Sequence, residues 1–562
     1  MKLTIYSRIK VIFVMTICLI SYGCNKNFLD LAPDQDLSED DVFKEYTNFR
    51  KYSDYSYSYT EYFAFHGRLW NALPATMSDE AVNANGATKP MNQGSWINTN
   101  TDWPNETDRI WTRMYAGIRR TNMVLERIDE VPNFPTQAIK DRTIGETYFL
   151  RAMFYFELIK RYGAIPLVER TLRGEEDLDL PRADYDACID FVVADCDRAA
   201  NLLPPTYPDA DIGRATKGAA LALKSRMLLY AASPLNNPSN EITKWQAAAV
   251  AANEVIQLGL YDLYPDAHTL FFQPTCEEVI WNRPRGKVNF DQGLGYNQGG
   301  LWVRFIATEG YLGWNGTSVT TNFVELHEAN NGYPINDSRS NYDEANPYEN
   351  RDPRLKINVL TNNVSWLGRS TEFYTGGRDK GSANVNLTGQ SMRKFWPDNL
   401  IRIAGGNTTY LNYIVFRYAE ILLNYAEAMN EAYGPDNNNG YTLTAREAAN
   451  LVRNRVNQAP IPLDISSSTE TMRTRLQNER AVELCFEDHR FYDLLRWKKG
   501  TEFLNGPIYG TRITKISDNN FTYERFTVET RVFQQHMHRY PLPLSEIYKS
   551  NGILEQNPGW ID

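Results

Sequence analysis

The stretch Gly145-Glu-Thr-Tyr-Phe-Leu-Arg-Ala-Met-Phe-Tyr-Phe-Glu-Leu-Ile-Lys-Arg-Tyr-Gly-Ala-Ile-Pro-Leu167 decides the fold. Apolar residues at Phe149, Ala152, Met153, Phe156 and Ile159 fall on one face of an α-helix. Tyr148, Tyr155 and Tyr162 form a second row on a neighbouring face. Gly163 supplies the positive φ that commonly ends a helix, and Pro166 forbids continuation. A helix apolar on two faces must sit between other helices. Ala152-x-x-x-Phe156 followed by a proline also echoes the second helix of a tetratricopeptide unit.

Working outward, similar patterns recur on both sides. Before the central stretch, Phe49, Tyr52, Tyr55, Tyr59 and Tyr62 step by three and four, the mark of helix packing. Trp111 to Leu125 continues the helical pattern. After it, Thr216–Ser233 carries small residues on one side and Leu and Tyr on the other, as close helix pairs require. Trp245–Leu258 gives one more helix. Helices return at Tyr413–Met429, Ala445–Arg453 and Thr471–Trp497. Two blocks break the pattern. Residues 70–108 are rich in Asn, Gly and Thr and read as a long loop. Between about 265 and 410 the helical period fades into a loop-rich insertion with short helices and strands. The expected fold is mainly α, a tetratricopeptide-like α-α superhelix with a loop-rich, irregular insertion. One domain is expected over 24–562, with its scaffold at 38–265 and 411–562 and its insertion at about 266–410.

The first 23 residues read as a targeting signal. Lys2, Arg8 and Lys10 precede the apolar run Val11–Ile20, then Ser21-Tyr-Gly-Cys24. Cysteine after glycine is a lipobox-like ending, so Cys24 is the expected lipidation site, although Ser21 departs from the commonest Leu. Lipidation would anchor an exported protein to a membrane. The 562 residues carry a net charge of −10 and no run of more than two adjacent basic residues, as at Lys498-Lys499, which argues against nucleic acid.

Most catalytic chemistry finds no footing. The cysteines match no zinc spacing, and Cys188, Cys196, Cys276 and Cys485 read as buried small hydrophobes. Six scattered histidines offer neither a metal set nor a triad. Asp209-Ala-Asp-Ile-Gly213 starts like a calcium loop but lacks the closing Glu. No cofactor and no metal is expected. Glu479, Arg480, Glu483, Glu487, Arg490, Asp493 and Arg496 are spaced by three and four, which fits a ladder of intrahelical ion pairs such as Glu487–Arg490 and Asp493–Arg496. Paired carboxylates such as Glu483 and Glu487 are the alternative, as a glycosidase acid and base. What stands out is aromatic content of 13%, with 34 Tyr and 12 Trp, much of it on Asn- and Asp-rich loops. An aromatic face covers the C–H side of a sugar ring, while amides and carboxylates bond its hydroxyls.

Taken in order, several short motifs run from end to end. They begin with Cys24…Phe28-Leu29-Asp30…Pro33, Ser78-Asp79-Glu80-Ala81, and Gly145-Glu146…Leu150-Arg151-Ala152…Tyr162-Gly163…Pro166-Leu167. Ala215-Thr216-Lys217…Lys224…Arg226, Arg351-Asp352-Pro353-Arg354 and Arg417-Tyr418-Ala419-Glu420 follow. The series closes with Glu479-Arg480…Glu483…Glu487…Arg490…Asp493-Leu494…Arg496-Trp497 and Pro541-Leu542-Pro543…Glu546…Asn557-Pro558-Gly559-Trp560. With these motifs the chain resembles the SusD/RagB family of outer-membrane nutrient-binding lipoproteins of Bacteroidetes. The resemblance implies a non-enzymatic, surface-exposed protein of the outer membrane. It implies a loop-rich, irregular ligand-binding insertion on the helical superhelix, capture of oligosaccharides or polysaccharide, and a partnership with a SusC-like TonB-dependent transporter. Capture of peptides by a member of the same family is a further alternative. By region, the resemblance points to Trp96, Asn98 and Trp103 in the first loop as glycan contacts. In the insertion it points to Tyr296, Trp302, Tyr311 and Trp314.

Overall fold

The computed structural model describes residues 38–63, 74–95, 106–174, 180–284, 286–288, 303, 305–381, 386–399 and 408–560. Two short helices, α1 (Glu39–Lys44) and α2 (Tyr46–Asp54), lead into the five long helices of the first half of the scaffold: α3 (Glu106–Arg127), α4 (Gln137–Tyr162), α5 (Tyr185–Leu202), α6 (Lys217–Ala232) and α7 (Ile242–Gln257). The central stretch is the C-terminal part of α4. Its start is set by Thr136, whose side chain accepts the Ile139 amide, and its end by Gly163 at φ 78°. Of its 26 residues, 17 are buried. It packs between α3, α5 and α6, as its two apolar faces require. The tyrosine row is used on the inside: the Tyr155 hydroxyl donates to the Val168 carbonyl at 2.9 Å, and Tyr162 meets Trp111 edge-on at 5.2 Å. In the stripe further upstream Phe49 is buried and the Arg120 guanidinium lies 3.9 Å from the Tyr52 ring centre, whereas Tyr55 is largely exposed.

The scaffold resumes as α8 (Tyr418–Tyr433), α9 (Ala445–Asn454), α10 (Thr469–Glu483) and α11 (Arg490–Arg496). From α3 to α9 each helix packs on the next, α7 against α8 included, so the two halves form one stack across the insertion. Among the described residues no helix is long and apolar enough to cross a membrane.

Eight strands matter here. They are β1 (Ala81–Asn83), β2 (Val279–Arg283), β3 (Thr317–Val319), β4 (Val359–Leu360), β5 (Ser391–Met392), β6 (Tyr413–Arg417), β7 (Gly506–Ser517) and β8 (Asn520–Arg531). The insertion leaves the scaffold through β2 and returns through β6, and these two pair antiparallel, Tyr413 opposite Arg283. A four-stranded sheet ordered β1-β3-β5-β4 forms its centre, and β7 and β8 make a long hairpin.

Four expectations need correction. Tyr413–Arg417, read as the start of a helix, is strand β6. All five of its residues are buried, so no period-2 signal marks it. Thr471–Trp497 is two helices, because the chain turns through positive φ at Phe486 (62°) and Asp488 (67°) between α10 and α11. Residues 74–92 are no free loop, since Pro74–Glu80 and β1 are buried. Finally, the carboxylates do not form an intrahelical ladder. Asp493–Arg496 does pair at 2.7 Å, but Arg490 pairs with Asp79 and Glu487 with Lys394 and Arg417. Of the cysteines, Cys188, Cys196 and Cys485 are buried and Cys276 is half-buried.

The buried charges form a lattice between elements. Arg417 of β6 reaches Glu278, Glu483 and Glu487, each at 2.7 Å, and Arg455 also bonds Glu278 and Glu483. Arg354 of the insertion donates to Glu479 at 2.5 Å, and Arg453 meets the same carboxylate at 2.7 Å. Such charges persist in the interior only when every one is paired.

Candidate functional site

Ile306 to Gly316 makes a compact projecting turn. Leu312 (φ 62°) and Asn315 (φ 43°) occupy left-handed backbone conformations, and the Gly313 and Asn315 amides donate back to the Thr308 and Ala307 carbonyls at 2.9 Å. Gly313 is required by close approach, because a Cβ there would run into the Ala307 carbonyl. The turn presents Leu312 and Trp314 outward, 53% and 44% exposed, with Trp314 edge-on to Phe305 at 5.1 Å. Exposed large apolar side chains on a rigid turn invite a partner.

The support beneath is closely bonded. Tyr311 is buried, its hydroxyl donating to the Trp366 carbonyl at 2.6 Å and its ring meeting Trp396 edge-on at 5.3 Å. The Arg369 guanidinium covers the other side of that ring, 3.9 Å from its centre. Arg369 in turn grips Asp379 with bonds of 2.6 and 2.8 Å, and Thr308 donates to the same carboxylate at 2.5 Å. Burial pushes the Tyr311 phenol up to about 12, against the nearby guanidinium, so it stays a neutral donor.

Strand pairing brings the first loop to this turn. Ala81, Val82 and Asn83 of β1 lie opposite Val319, Ser318 and Thr317 of β3. Beyond the strand, the Ala84 amide and the Asn83 side chain both donate to the Gly316 carbonyl, at 3.0 and 3.1 Å. Two stretches singled out separately in the sequence are therefore neighbours. Trp314 and Tyr311 come together in one turn. Trp96, Asn98, Trp103, Tyr296, Trp302 and the lipidation candidate Cys24 lie outside the described residues.

The carboxylates considered for catalysis sit elsewhere. Glu483 and Glu487 are buried under Arg417, Arg455, Arg354 and Lys394, whose charges outweigh desolvation and hold both carboxyls below the ordinary range. A general acid needs the opposite shift. Glu80 has it, with burial raising its carboxyl to about 8. Its Oε1 accepts the Phe486 amide at 2.7 Å, and its Oε2 lies 2.9 Å from the Ser78 Oγ, which also lies 2.9 Å from the Ala75 carbonyl. One hydroxyl proton cannot serve both oxygens, and a protonated Glu80 donating to Ser78 resolves the pattern. Glu80 is 1% exposed, so its neutral form is structural. Among the described residues no group of three or more His, Cys, Asp or Glu is placed to hold a metal ion. Asp211, in the calcium-like stretch, instead pairs with Arg142 and Arg214.

Sequence reasoning missed the hairpin of β7 and β8, although Arg512-Ile-Thr-Lys-Ile-Ser alternates and Asp518-Asn-Asn520 offers a turn.

Comparison with known proteins adds an independent line. The model of the SusD family matches residues 277–560. A second model, described as starch-binding and associating with the outer membrane, matches residues 27–229. A SusD-like protein of Formosa agariphila is 26% identical over 471 residues, covering 80% of this chain and 78% of its own. The crystal structure of a SusD-like protein from Bacteroides fragilis superposes with a TM-score of 0.77 at 27% identity, covering 94% of this chain and all of the other. A SusD-like carbohydrate binding protein from the same species superposes at 0.73 and 23% identity, covering 90% and 99%.

Proposed function

The chain belongs to the SusD family, and from that membership we propose that it captures oligosaccharides or polysaccharide at the cell surface without cleaving them. In this reading Cys24 carries the lipid that holds it to the outer membrane, and a SusC-like TonB-dependent transporter takes the ligand from it. A lipid-anchored binder cannot itself import anything, so a channel is required.

The observation that carries the reading is the convergence of the first loop on the Trp314 turn through β1 and β3. Trp314 offers a half-exposed indole on a rigid base, the arrangement that stacks on a sugar ring. Trp96, Asn98, Trp103, Tyr296 and Trp302 belong to the same contact set, and Tyr311 to its support. The burial of Glu483 and Glu487 among cations weighs against the hydrolase alternative.

A panel of laminarin, amylopectin, xylan and mannan tests the proposal by affinity gel electrophoresis and reducing-end assay. Retardation without release of reducing ends is the expected result. Steady release of reducing ends overturns it, as does binding of casein peptides in place of every polysaccharide. The transporter is tested by co-purification from outer membranes, where a TonB-dependent partner is expected.

A further inference from the structure

A cleft of about 600 Å³ opens between the 345–349 loop, the turn after β4 and the tip of the β7–β8 hairpin. Its size lies within the range of small-molecule sites, roughly 300–1,000 Å³. None of its lining residues belongs to the Trp314 turn. In the sheet, β4 on its floor lies two strands from β3, about 10 Å away.

Its chemistry is consistent on all sides. The floor is apolar, from Leu355, Val359 and Leu360. The walls hold five asparagines: Asn346, Asn362, Asn363, Asn519 and Asn520. Asn362 is 5% exposed; its Oδ1 accepts the Phe373 amide at 2.9 Å, while its Nδ2 has no well-formed bond and lies toward the Tyr523 hydroxyl. Phe521 and Tyr523 are half-buried aromatic rings on one wall, and both are braced from behind or beside. Phe521 stacks on Tyr374 at 5.8 Å, and Tyr523 meets Tyr348 edge-on at 5.5 Å. Tyr348 is itself held by Gln390, whose Nε2 donates to its hydroxyl at 3.0 Å. The hairpin tip is pinned across the cleft by Asn363 Nδ2 donating to Asn519 Oδ1 at 3.3 Å. The charges balance: Lys356 lies 4.0 Å from Glu349, and Arg393 3.6 Å from Asp398.

We propose that this cleft is a second saccharide-binding site, taking a short neutral oligosaccharide whose ring faces stack on Phe521 and Tyr523 while the asparagines bond its hydroxyls. Amides supply donor and acceptor together, as a sugar hydroxyl demands. The balanced charges give no reason for an ionic ligand. The proposal extends the carbohydrate-binding reading to a second place on the protein, and it rests on that reading for the choice of probes.

The test is titration calorimetry of the full mature chain with hexasaccharides of laminarin, amylose, xylan and mannan. Three variants are compared: Trp314→Ala, Phe521→Ala and Asn346→Arg. Asn346 is exposed at the rim, so its substitution plugs the cleft even if Phe521→Ala loosens the hairpin. For a probe that binds, Trp314→Ala is expected to retain a residual weaker event. Adding Phe521→Ala or Asn346→Arg to it should weaken that event by at least about tenfold, one decade in Kd. A Trp314→Ala protein with no residual binding overturns the second site and leaves the first intact. A residual event unmoved by both cleft variants overturns it as well. A wild-type chain that binds none of the probes overturns the carbohydrate reading and this inference together.

Discussion

The ionic lattice of the scaffold and the Trp314 turn both rest on arginines, yet they use them in opposite ways. In the lattice, Arg417 is 2% exposed and spends every donor on carboxylates or carbonyls of other elements. Around the turn, Arg369 is partly exposed, and its pairing with Asp379 holds an aromatic base under a side chain left open to solvent. Charge in the first place joins elements. In the second it stiffens a display. The motif residues through which the chain resembles its family fall in the first group: Asp79, Arg354, Arg417, Glu479 and Glu483 are all paired inside.

The sharpest way to break that contrast is at Arg417. Arg417→Met leaves Glu278, Glu483 and Glu487 short of a partner, and a stability loss of about 3–5 kcal/mol is expected in urea denaturation. A loss below 1 kcal/mol, within the ~0–1 kcal/mol typical of a surface pair, would show that the lattice is no more than a set of surface-like pairs.

Trp314→Ala probes the other side. Stacking contributes about 0.5–1.5 kcal/mol beyond area burial. With roughly 25 cal/mol per Å² of covered apolar surface, the loss of glycan affinity is about one to three decades. The melting temperature should hardly move, because the indole is already half in water. A drop of several degrees with unchanged affinity would make Trp314 part of the core instead.

Glu80 sharpens the comparison through pH. Its folded-state value near 8 lies above the ordinary carboxyl value of 4.5, so the folded chain binds the extra proton between them. The contribution is fully present below pH 4.5 and is lost as pH rises to about 8, by up to about 1.4 kcal/mol per pH unit. Glu80→Gln keeps a donor for Ser78 and an acceptor for the Phe486 amide. Its stability relative to wild type should therefore improve steadily across this window, as read from urea midpoints at a series of pH values. Parallel curves would mean that Glu80 is ionised in the fold.

The smallest effect is expected at the support of the turn. Tyr311→Phe removes one hydrogen bond to the Trp366 carbonyl, about 1 kcal/mol of stability, and should lower affinity only a few-fold. A loss as large as that of Trp314→Ala would mean that Tyr311 itself touches the ligand.

Much of the scaffold was legible because helices announce themselves locally. The spacing within 145–163, with Gly163 and Pro166 after it, carries enough to place α4 and to demand neighbours for it. Partners of the buried charges were not legible. Glu487 sees Arg490 three residues on, but its actual partners are Arg417, 70 residues away, and Lys394, 93 away. The strand β6 was hidden for a related reason: buried on both faces, it shows an apolar run without alternation. At the candidate site, the tryptophans could be singled out from their company of Asn and Gly. That the two loops meet could not, since three-residue strands leave no pattern and the bond from Asn83 to the Gly316 carbonyl joins residues 233 apart.

The segment around Asp79 has one more consequence. Asp79 is sealed by Arg490, 411 residues later, and the Ser78 and Ala81 carbonyls are capped by Arg531, some 450 residues later. A chain emerges from synthesis N-terminus first, so these groups stay wet until nearly the whole polypeptide has appeared. Closing such distances is slow, although the entropy of closure grows only logarithmically with separation. The strap that carries β1 toward the Trp314 turn is therefore finished last. A chain cut short before Arg490 would lack α11 and the bonds that set the strap, so the strap can close only once both Arg490 and Arg531 have been made.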